Sequence, residues 1–356
     1  MGWLIGLAVW VIFLNLTMKP NRGSTRNARQ YMILCAAAVI LIMGLRSRYV
    51  GSTDTLFYCN YFDRVMHSDS LREFLNGVGD QSQSLLLSEV GFRVYTWICA
   101  QIFPEAQWFL FVNAVVIVSI TARFIWRNSK NFCVSWIVFI CLGALTFAMN
   151  GTRQALGMSI CLVSYEYAKQ KRLGAFISTI LLAMLFHKSA MFFAIVYVIS
   201  NMQWSWKNVL LLLAAMVVFM MVSDKLILSY DSLTGEDYTY SKTVDSGGFV
   251  AVAIYAIAIA LTLLISKRLK EQDIFLPLVL SGVGFVLYSG RYFSIHILER
   301  MSYYFFYFLM LLYPAAFNEL KPRDRLHMRF WFELLAIILF AYRLSNSSFS
   351  GFRLFW

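Results

Sequence analysis

Long apolar segments recur along almost the whole of this chain, and they restrict its fold more than any other feature. Hydrophobic residues make up 60% of the 356 residues and charged residues only 14%, which leaves too little polar surface to cover a soluble globule. A helix of about 20 apolar residues can cross the roughly 30 Å hydrocarbon core of a bilayer. The composition therefore predicts an all-α, polytopic transmembrane helical bundle, with residues 1–356 forming a single integral membrane domain.

The segments that best fit a membrane span occupy residues 2–17, 30–45, 106–126, 131–150, 207–223, 248–266, 274–290, 301–318 and 329–344. Shorter or more polar segments occupy residues 88–103, 154–168, 173–186 and 189–203. Lysine and arginine are enriched in short cytoplasmic loops, and every basic loop cluster can be cytoplasmic if residues 88–103 do not cross. We therefore expect about twelve crossings, with both termini outside and residues 88–103 forming a re-entrant or interfacial helix. The net charge of +12 then lies on the cytoplasmic side, so no nucleic acid partner is needed to explain it.

Two outer loops, residues 47–88 and 224–247, are long enough to have structure of their own. In the first loop, apolar residues recur at helical spacing from Thr55 to Met66, which predicts a short amphipathic helix on the membrane surface.

Several kinds of chemistry have no motif in this chain. The six cysteines lie mostly inside apolar segments and show neither a disulfide framework nor a zinc-binding spacing, so we predict no metal site. The absence of a GxSxG elbow, a P-loop and an HExxH motif leaves hydrolase, ATPase and zinc protease functions without support.

Single ionisable groups interrupt the apolar segments on the predicted outer face, and such groups are costly beside a bilayer, which makes each a candidate for function. The first cluster follows the second segment and contains Arg46, Arg48, Gly51, Asp54 and Tyr58. Its two arginines can bind an anionic group, and Asp54 can act as a base. Taken singly, the arginines can instead reach lipid headgroups and Asp54 can cap a helix, but the cluster favours a site.

The second and third clusters lie in the middle of the chain. Arg153 and Gln154 follow Asn150 at the start of a helix, where free backbone amides favour a phosphate. His187 and Lys188 break two short apolar segments; the histidine can transfer a proton, and the lysine can pair with phosphate. The structural alternatives are an arginine bonded to loop carbonyls and a hairpin turn whose lysine reaches the headgroups.

The fourth cluster lies between two strong spans and contains Arg291, His296, Glu299, Arg300 and Tyr303. The arginines can complete an anion cage, although the glutamate can neutralise one of them. Tyr303 can stack on a sugar ring, but an aromatic belt at the bilayer interface explains it better.

Three of these clusters together resemble a known family. An arginine followed by Gly51-Ser-Thr-Asp54 and Tyr58, an Arg-Gln pair at residues 153–154, and Phe-His-Lys-Ser-Ala at residues 186–190 are similar, in order and spacing, to the EpsG branch of the Wzy-type polysaccharide polymerases. The resemblance covers about residues 30–310 and leaves open whether Arg46 or Arg48 is the motif arginine.

The resemblance implies a membrane glycosyltransferase of the GT-C class on the periplasmic face of the bacterial inner membrane. Its substrates would be undecaprenyl-pyrophosphate-linked oligosaccharide repeat units, joined into O-antigen, capsule or exopolysaccharide without a nucleotide sugar, metal or other cofactor. A flippase and a Wzz-type chain-length regulator would be its protein partners. The rival functions are an O-antigen ligase, which uses the same donor, and a lipid-linked oligosaccharide flippase.

The expected roles follow from that chemistry. The candidates for binding pyrophosphate are Arg46, Arg48, Arg153, Arg291, Arg300 and Lys188. The candidates for the base are His187 and Asp54, with a slight preference for His187 because it accepts a proton near neutral pH without a pKa shift. The candidates for contacting the glycan are Tyr58, Gln154, His296 and Tyr303.

Overall fold

The computed structural model describes residues 1–20, 25–51, 53–68, 89–203, 205, 207–208, 210–212, 214–216, 218–219, 249–269, 271–290 and 296–355. Within these residues the chain is helical and has no β-strand, which confirms the predicted all-α class. In chain order, α1 to α15 are Gly2–Met18, Thr25–Gly44, Thr53–Met66, Val90–Ile102, Ala106–Asn128, Phe132–Cys141, Ala144–Asn150, Thr152–Lys169, Leu173–Phe186, Ile195–Ser200, Phe249–Ile265, Gln272–Ser289, His296–Phe306, Leu309–Asn318 and Pro322–Ser345. A 3₁₀-helix, Lys188–Ala194, lies between α9 and α10. The predicted outer loop at residues 224–247 lies outside the described residues.

Three of the described helices, α2, α5 and α12, are long and apolar enough to cross a membrane. The pair α6 and α7, bent by 48°, makes a fourth if it forms one broken span. The predicted total of about twelve crossings is larger than this number and stays a prediction. Helix α4 has 13 residues, a length of about 20 Å, which is too short for the hydrocarbon core and agrees with a re-entrant or interfacial helix.

Helix α6 lies in the interior of the bundle, where all 10 of its residues are buried. It ends before Gly143, whose φ of 127° is a conformation that glycine adopts without strain. The Arg343 side chain of α15 packs against this glycine and donates a hydrogen bond from Nη1 to the Leu142 carbonyl at 2.9 Å. A carbonyl at the bend is therefore satisfied within the protein rather than exposed to lipid.

A second break brings the middle of the chain to one end of the bundle. Helix α7 ends at Asn150 and α8 begins at Thr152, so that Gly151 alone separates them. Helix α8 then packs against α5, α9 and the 3₁₀-helix. Its first turn, which carries Arg153 and Gln154, therefore starts inside the protein rather than in a loop.

The predicted amphipathic helix is present as α3, Thr53–Met66. Tyr58, Phe62 and Val65 are buried on one face, where α3 packs against α4 and α5. Protein therefore covers this face of α3. Together, α3 and α4 form a layer over the end of the bundle at which α2 ends and α5 begins.

Candidate functional site

The first and second sequence clusters contact each other directly. The Thr55 hydroxyl and the Arg46 guanidinium both donate hydrogen bonds to the Met149 carbonyl, at 3.1 Å and 2.8 Å. Gly51 has a φ of 105°, and a Cβ atom there would lie 2.5 Å from Oδ1 of Asn150. Only glycine therefore lets the loop after α2 approach the end of α7 this closely.

Glu89, at the N-terminus of α4, joins the second and third clusters. Its carboxylate is buried, with Oε2 lying 2.8 Å from Nε of Arg153. Its other oxygen, Oε1, lies 2.7 Å from Nδ1 of His187 and accepts a hydrogen bond from the Lys188 backbone amide at 3.1 Å. One carboxylate thus fixes an arginine from α8 and the histidine between α9 and the 3₁₀-helix.

Glu89 and His187 lie at helix ends, outside the helices that are long enough to span a membrane. Their protonation states follow from their surroundings. Burial by itself raises the pKa of Glu89, but the hydrogen bond and charge of His187 and the charge of Arg153 outweigh it, and the pKa lies below its usual value. Burial lowers the pKa of His187, against the opposing effect of Glu89. Near neutral pH, Glu89 is therefore an anion and His187 is neutral.

Tyr58 and Arg300 lie beside this network. Burial raises the pKa of Tyr58, the charges of Arg153 and Arg300 lower it, and those of Asp54 and Glu89 raise it. Arg300 also acts on the pKa of His187. We refer to Tyr58, Glu89, Arg153, His187 and Arg300 as the candidate site.

Gln154 supports the candidate site through the backbone. Its Nε2 donates a hydrogen bond to the Arg300 carbonyl at 2.7 Å, which ties the first turn of α8 to α13. Gln154 is buried, whereas the Arg300 side chain is exposed. The amide therefore fixes the backbone from which that arginine extends.

Two of the arginines expected to bind pyrophosphate are engaged elsewhere. Arg46 is buried, and its guanidinium donates hydrogen bonds to the Met43 and Met149 carbonyls. Arg48 lies 2.9 Å from Asp63, and this hydrogen bond raises its pKa. The two carbonyl contacts fit a structural role for Arg46.

The remaining predicted residues occupy varied places. Asp54 is exposed in the first turn of α3, and the Tyr303 ring is stacked on Phe147 with a centroid distance of 4.1 Å. Lys188 is half-buried beside His187. Arg291 and the side chain of His296 lie outside the described residues.

Glu89 and Arg93 are residues that the sequence analysis missed. Arg93 lies one helical turn after Glu89 on α4, is almost completely buried, and lies beside Tyr61. A signal was available, since two opposite charges spaced four residues apart open a segment predicted to stay at the membrane without crossing it.

The candidate site combines two guanidinium groups with one carboxylate and a neutral imidazole. Arg153 and Arg300 can each form paired hydrogen bonds with an anion, and the backbone amides at the start of α8 favour an anion as well. Among the described residues, no three His, Cys, Asp or Glu side chains lie together as metal ligands do. The arrangement can hold a phosphate group and take a proton from a neighbouring hydroxyl.

Comparison with protein families identifies a match that covers most of the chain. The model of the EpsG family matches residues 31–355, which is nearly the whole chain and includes every residue of the candidate site. No curated protein and no solved structure matches the chain. The chain therefore belongs to the EpsG family, a Wzy-like family of membrane polysaccharide polymerases.

Proposed function

We propose that the protein joins undecaprenyl-pyrophosphate-linked oligosaccharide repeat units on the periplasmic face of the bacterial inner membrane, extending O-antigen, capsule or exopolysaccharide. The observation that carries the proposal is the buried network of Arg153, Glu89 and His187 beside Arg300. Glycosyl transfer from a pyrophosphate needs positive charge at the leaving group and a base at the attacking hydroxyl. This network offers both.

The leaving pyrophosphate is stabilised by Arg153 and Arg300. Arg153 has its Nε beside Glu89, which holds the guanidinium in one orientation while part of the side chain stays exposed. Arg300 is exposed and held through its backbone by Gln154. Guanidinium groups bind phosphate oxygens through paired hydrogen bonds, so the proposal includes no metal ion.

His187 acts as the base. Its Nδ1 faces Glu89, which leaves Nε2 as the nitrogen that accepts a proton, and the lowered pKa keeps the ring neutral and ready to accept. A carboxylate that orients a histidine in this way also stabilises the imidazolium that forms. Asp54, an exposed carboxylate close to Tyr58, is the alternative base.

The transfer step uses only these side chains and the two substrates. The hydroxyl oxygen of the acceptor sugar attacks the anomeric carbon of the donor glycan, and the bond from that carbon to the pyrophosphate oxygen breaks. The hydroxyl proton moves to Nε2 of His187. The bonding electrons leave with undecaprenyl pyrophosphate, whose charge Arg153 and Arg300 stabilise.

Complementation of a deletion strain tests the proposal. The gene is removed from its host and restored as wild type or as Arg153→Ala, His187→Ala or Asp54→Ala at matched protein levels, and surface glycan is resolved on a gel. Asp324→Asn, an exposed carboxylate at the start of α15, is the control. We expect the deletion to leave lipid-linked glycan one repeat unit long, with a ladder restored by wild type and by the control.

The variants separate the candidate bases and the rival functions. His187→Ala should abolish the ladder if His187 is the base, whereas loss in Asp54→Ala alone would transfer that role to Asp54. A deletion that leaves polymer unattached would indicate a ligase, and one that removes all surface glycan would indicate a flippase. Either of these two results would overturn the proposal.

A further inference from the structure

A pocket that shares no residue with the candidate site lies at the opposite end of α4 from Glu89. It has a volume of about 410 Å³, within the range of pockets that bind small ligands. Its walls come from the loop after α2, the end of α3, the turn between α4 and α5, and the C-terminal tail. The side chains that matter here are Arg48, Tyr49, Asp63, Glu105 and Phe355, and we refer to this as the Asp63 pocket.

The lining suits a sugar better than a phosphate. Asp63 and Arg48 form an ion pair at 2.9 Å, and both remain partly exposed to the pocket. Glu105 adds a second carboxylate, so two carboxylates and one guanidinium line the pocket. Carboxylate and guanidinium groups form hydrogen bonds with sugar hydroxyls, and Tyr49 and Phe355 supply aromatic rings on which a sugar can stack.

The position of the pocket matches the path of a glycan. Helix α3 carries Tyr58 of the candidate site and, five residues later, Asp63, which lies about 7.5 Å further along the helix axis and about 140° around it, on a different face of α3. Helix α4 packs against α3 and begins beside Glu89, while the turn at its far end forms another wall. A chain of a few sugars that starts at the pyrophosphate of the candidate site can therefore reach the pocket.

We infer that the Asp63 pocket binds neutral or amino sugars of the repeat-unit oligosaccharide, away from the reacting bond. This inference rests on the proposed function, because only a glycan substrate needs binding groups at that distance from the pyrophosphate. The pocket holds the acceptor or the growing donor chain in register while the candidate site performs the transfer.

Direct binding tests the inference independently of activity. The full-length protein in nanodiscs is mixed with the free repeat-unit oligosaccharide, released by mild acid from the lipid-linked unit of the host, and binding is followed by saturation-transfer NMR. The test variants are Asp63→Asn, Glu105→Gln and Tyr49→Ala; these side chains are partly or well exposed, so the fold should tolerate their loss. Asp324→Asn and Tyr342→Ala, which alter exposed residues of α15, are the matched controls.

We expect wild type, both controls and Arg153→Ala to bind alike, and each pocket variant to bind about tenfold more weakly. Binding that is lost in Arg153→Ala and unchanged in the pocket variants would overturn the inference, as would no binding by wild type. Because Arg153→Ala should be inactive yet bind normally, failure of the proposed function and failure of this inference give different results. In cells, shorter polymer in the pocket variants would indicate the donor chain as occupant, and accumulation of single units the acceptor.

Discussion

The carboxylate of Glu89 holds one side chain of α8 and one between α9 and the 3₁₀-helix, and it is itself buried. Each of its oxygens is engaged, one with Arg153 and the other with His187 and the Lys188 amide. Removing this one charge leaves a guanidinium without its counter-charge and an imidazole without the group that sets its orientation. Glu89 is therefore a positioning residue whose loss should resemble the loss of the base.

Glu89→Gln should reduce the rate of polymerisation at least about a hundredfold, the lower end of what a positioned base contributes. The measurement is the rate of conversion of single repeat units to polymer by membranes with equal amounts of protein. Glu333→Gln is the control, since Glu333 is also a buried carboxylate paired with an arginine, Arg329, but lies on α15 away from the candidate site. Equal activity losses in both variants would show that Glu89 acts only through stability.

The pH dependence of stability and of polymerisation follows from Glu89 and His187. The pKa values of Glu89 and His187 both lie below their usual values in the folded protein, so the unfolded chain binds more protons as the pH falls. The contribution of Glu89 and His187 to the free energy of unfolding is therefore fully present above the ordinary histidine pKa of 6.5. It is lost as the pH falls through their lowered pKa values in the folded protein. Polymerisation should be constant at and above neutral pH and should decline as the pH falls through the lowered pKa of His187, because a protonated imidazole cannot accept the hydroxyl proton.

A rate profile from pH 5 to 8, with a parallel measurement of thermal unfolding, checks this expectation. If activity rises as the pH falls from neutral, a protonated His187 is the active form and the base assignment is wrong.

The sequence revealed Arg153 and His187 because both interrupt apolar runs, where a charge is costly. It did not reveal Glu89, because the four-residue spacing of Glu89 and Arg93 does not by itself show that the carboxylate is buried. The packing of α4 against α3 and α9 is what buries it, and that is a tertiary effect. Arg46 is the opposite case. Its position beside apolar residues predicted a functional role, but its guanidinium contacts backbone carbonyls.

At the scale of elements, the loop after α2 depends on one conformation. Gly51→Ala places a Cβ where φ is 105° and where Oδ1 of Asn150 lies 2.5 Å away. We expect the free energy of unfolding to fall by about 1–3 kcal/mol and polymerisation to fall with it, because the loop moves off the end of α7. Thermal unfolding of the purified protein and the glycan ladder measure both effects.

Gly174→Ala is the matched control for Gly51→Ala. No atom lies within 4 Å of its added Cβ, and alanine favours the helix α9 in which it lies. Unchanged stability in Gly51→Ala would show that the loop does not need the close approach.

The C-terminal tail secures the same loop. The Ser47 amide donates a hydrogen bond to the Arg353 carbonyl and the Phe355 amide donates one to the Leu45 carbonyl, each at 3.0 Å. A chain ending at Ser348 loses both bonds, each of which contributes about 0.5–1.5 kcal/mol, and also the buried ring of Phe349. We expect faster proteolysis at residues 47–51 and less polymer.

Arg353→Ala is the control for the truncation, because it keeps the backbone contacts and removes only the guanidinium that lies 5.8 Å from the Tyr49 ring. Equal protease resistance in the truncated and full-length chains would show that the tail does not hold the loop. The resemblance seen in the sequence ends at about residue 310, and the backbone hydrogen bonds that tie this tail to the loop leave no pattern of side chains.

Hydropathy located the elements but not their breaks. The segments predicted at residues 131–150 and 301–318 are each two helices, α6 with α7 and α13 with α14. The first break depends on the φ of Gly143 and on Arg343, a residue far along the chain that packs against it. Averaged hydrophobicity contains neither piece of information, so the sequence predicted one straight span where the chain bends by 48°.

For the whole molecule, the decisive question is whether α4 crosses the membrane, because every later orientation depends on it. His67 precedes α4 and Glu105 follows it, yet both line the Asp63 pocket, so the two ends of the intervening segment meet on one face. All six native cysteines are buried, which permits single-cysteine labelling. His67→Cys and Glu105→Cys should both react with a membrane-impermeant maleimide in intact spheroplasts, whereas Lys171→Cys, in a basic loop, should react only after permeabilisation. If His67→Cys and Glu105→Cys react from opposite sides, α4 crosses, and the predicted orientation of α5 and every later helix is reversed.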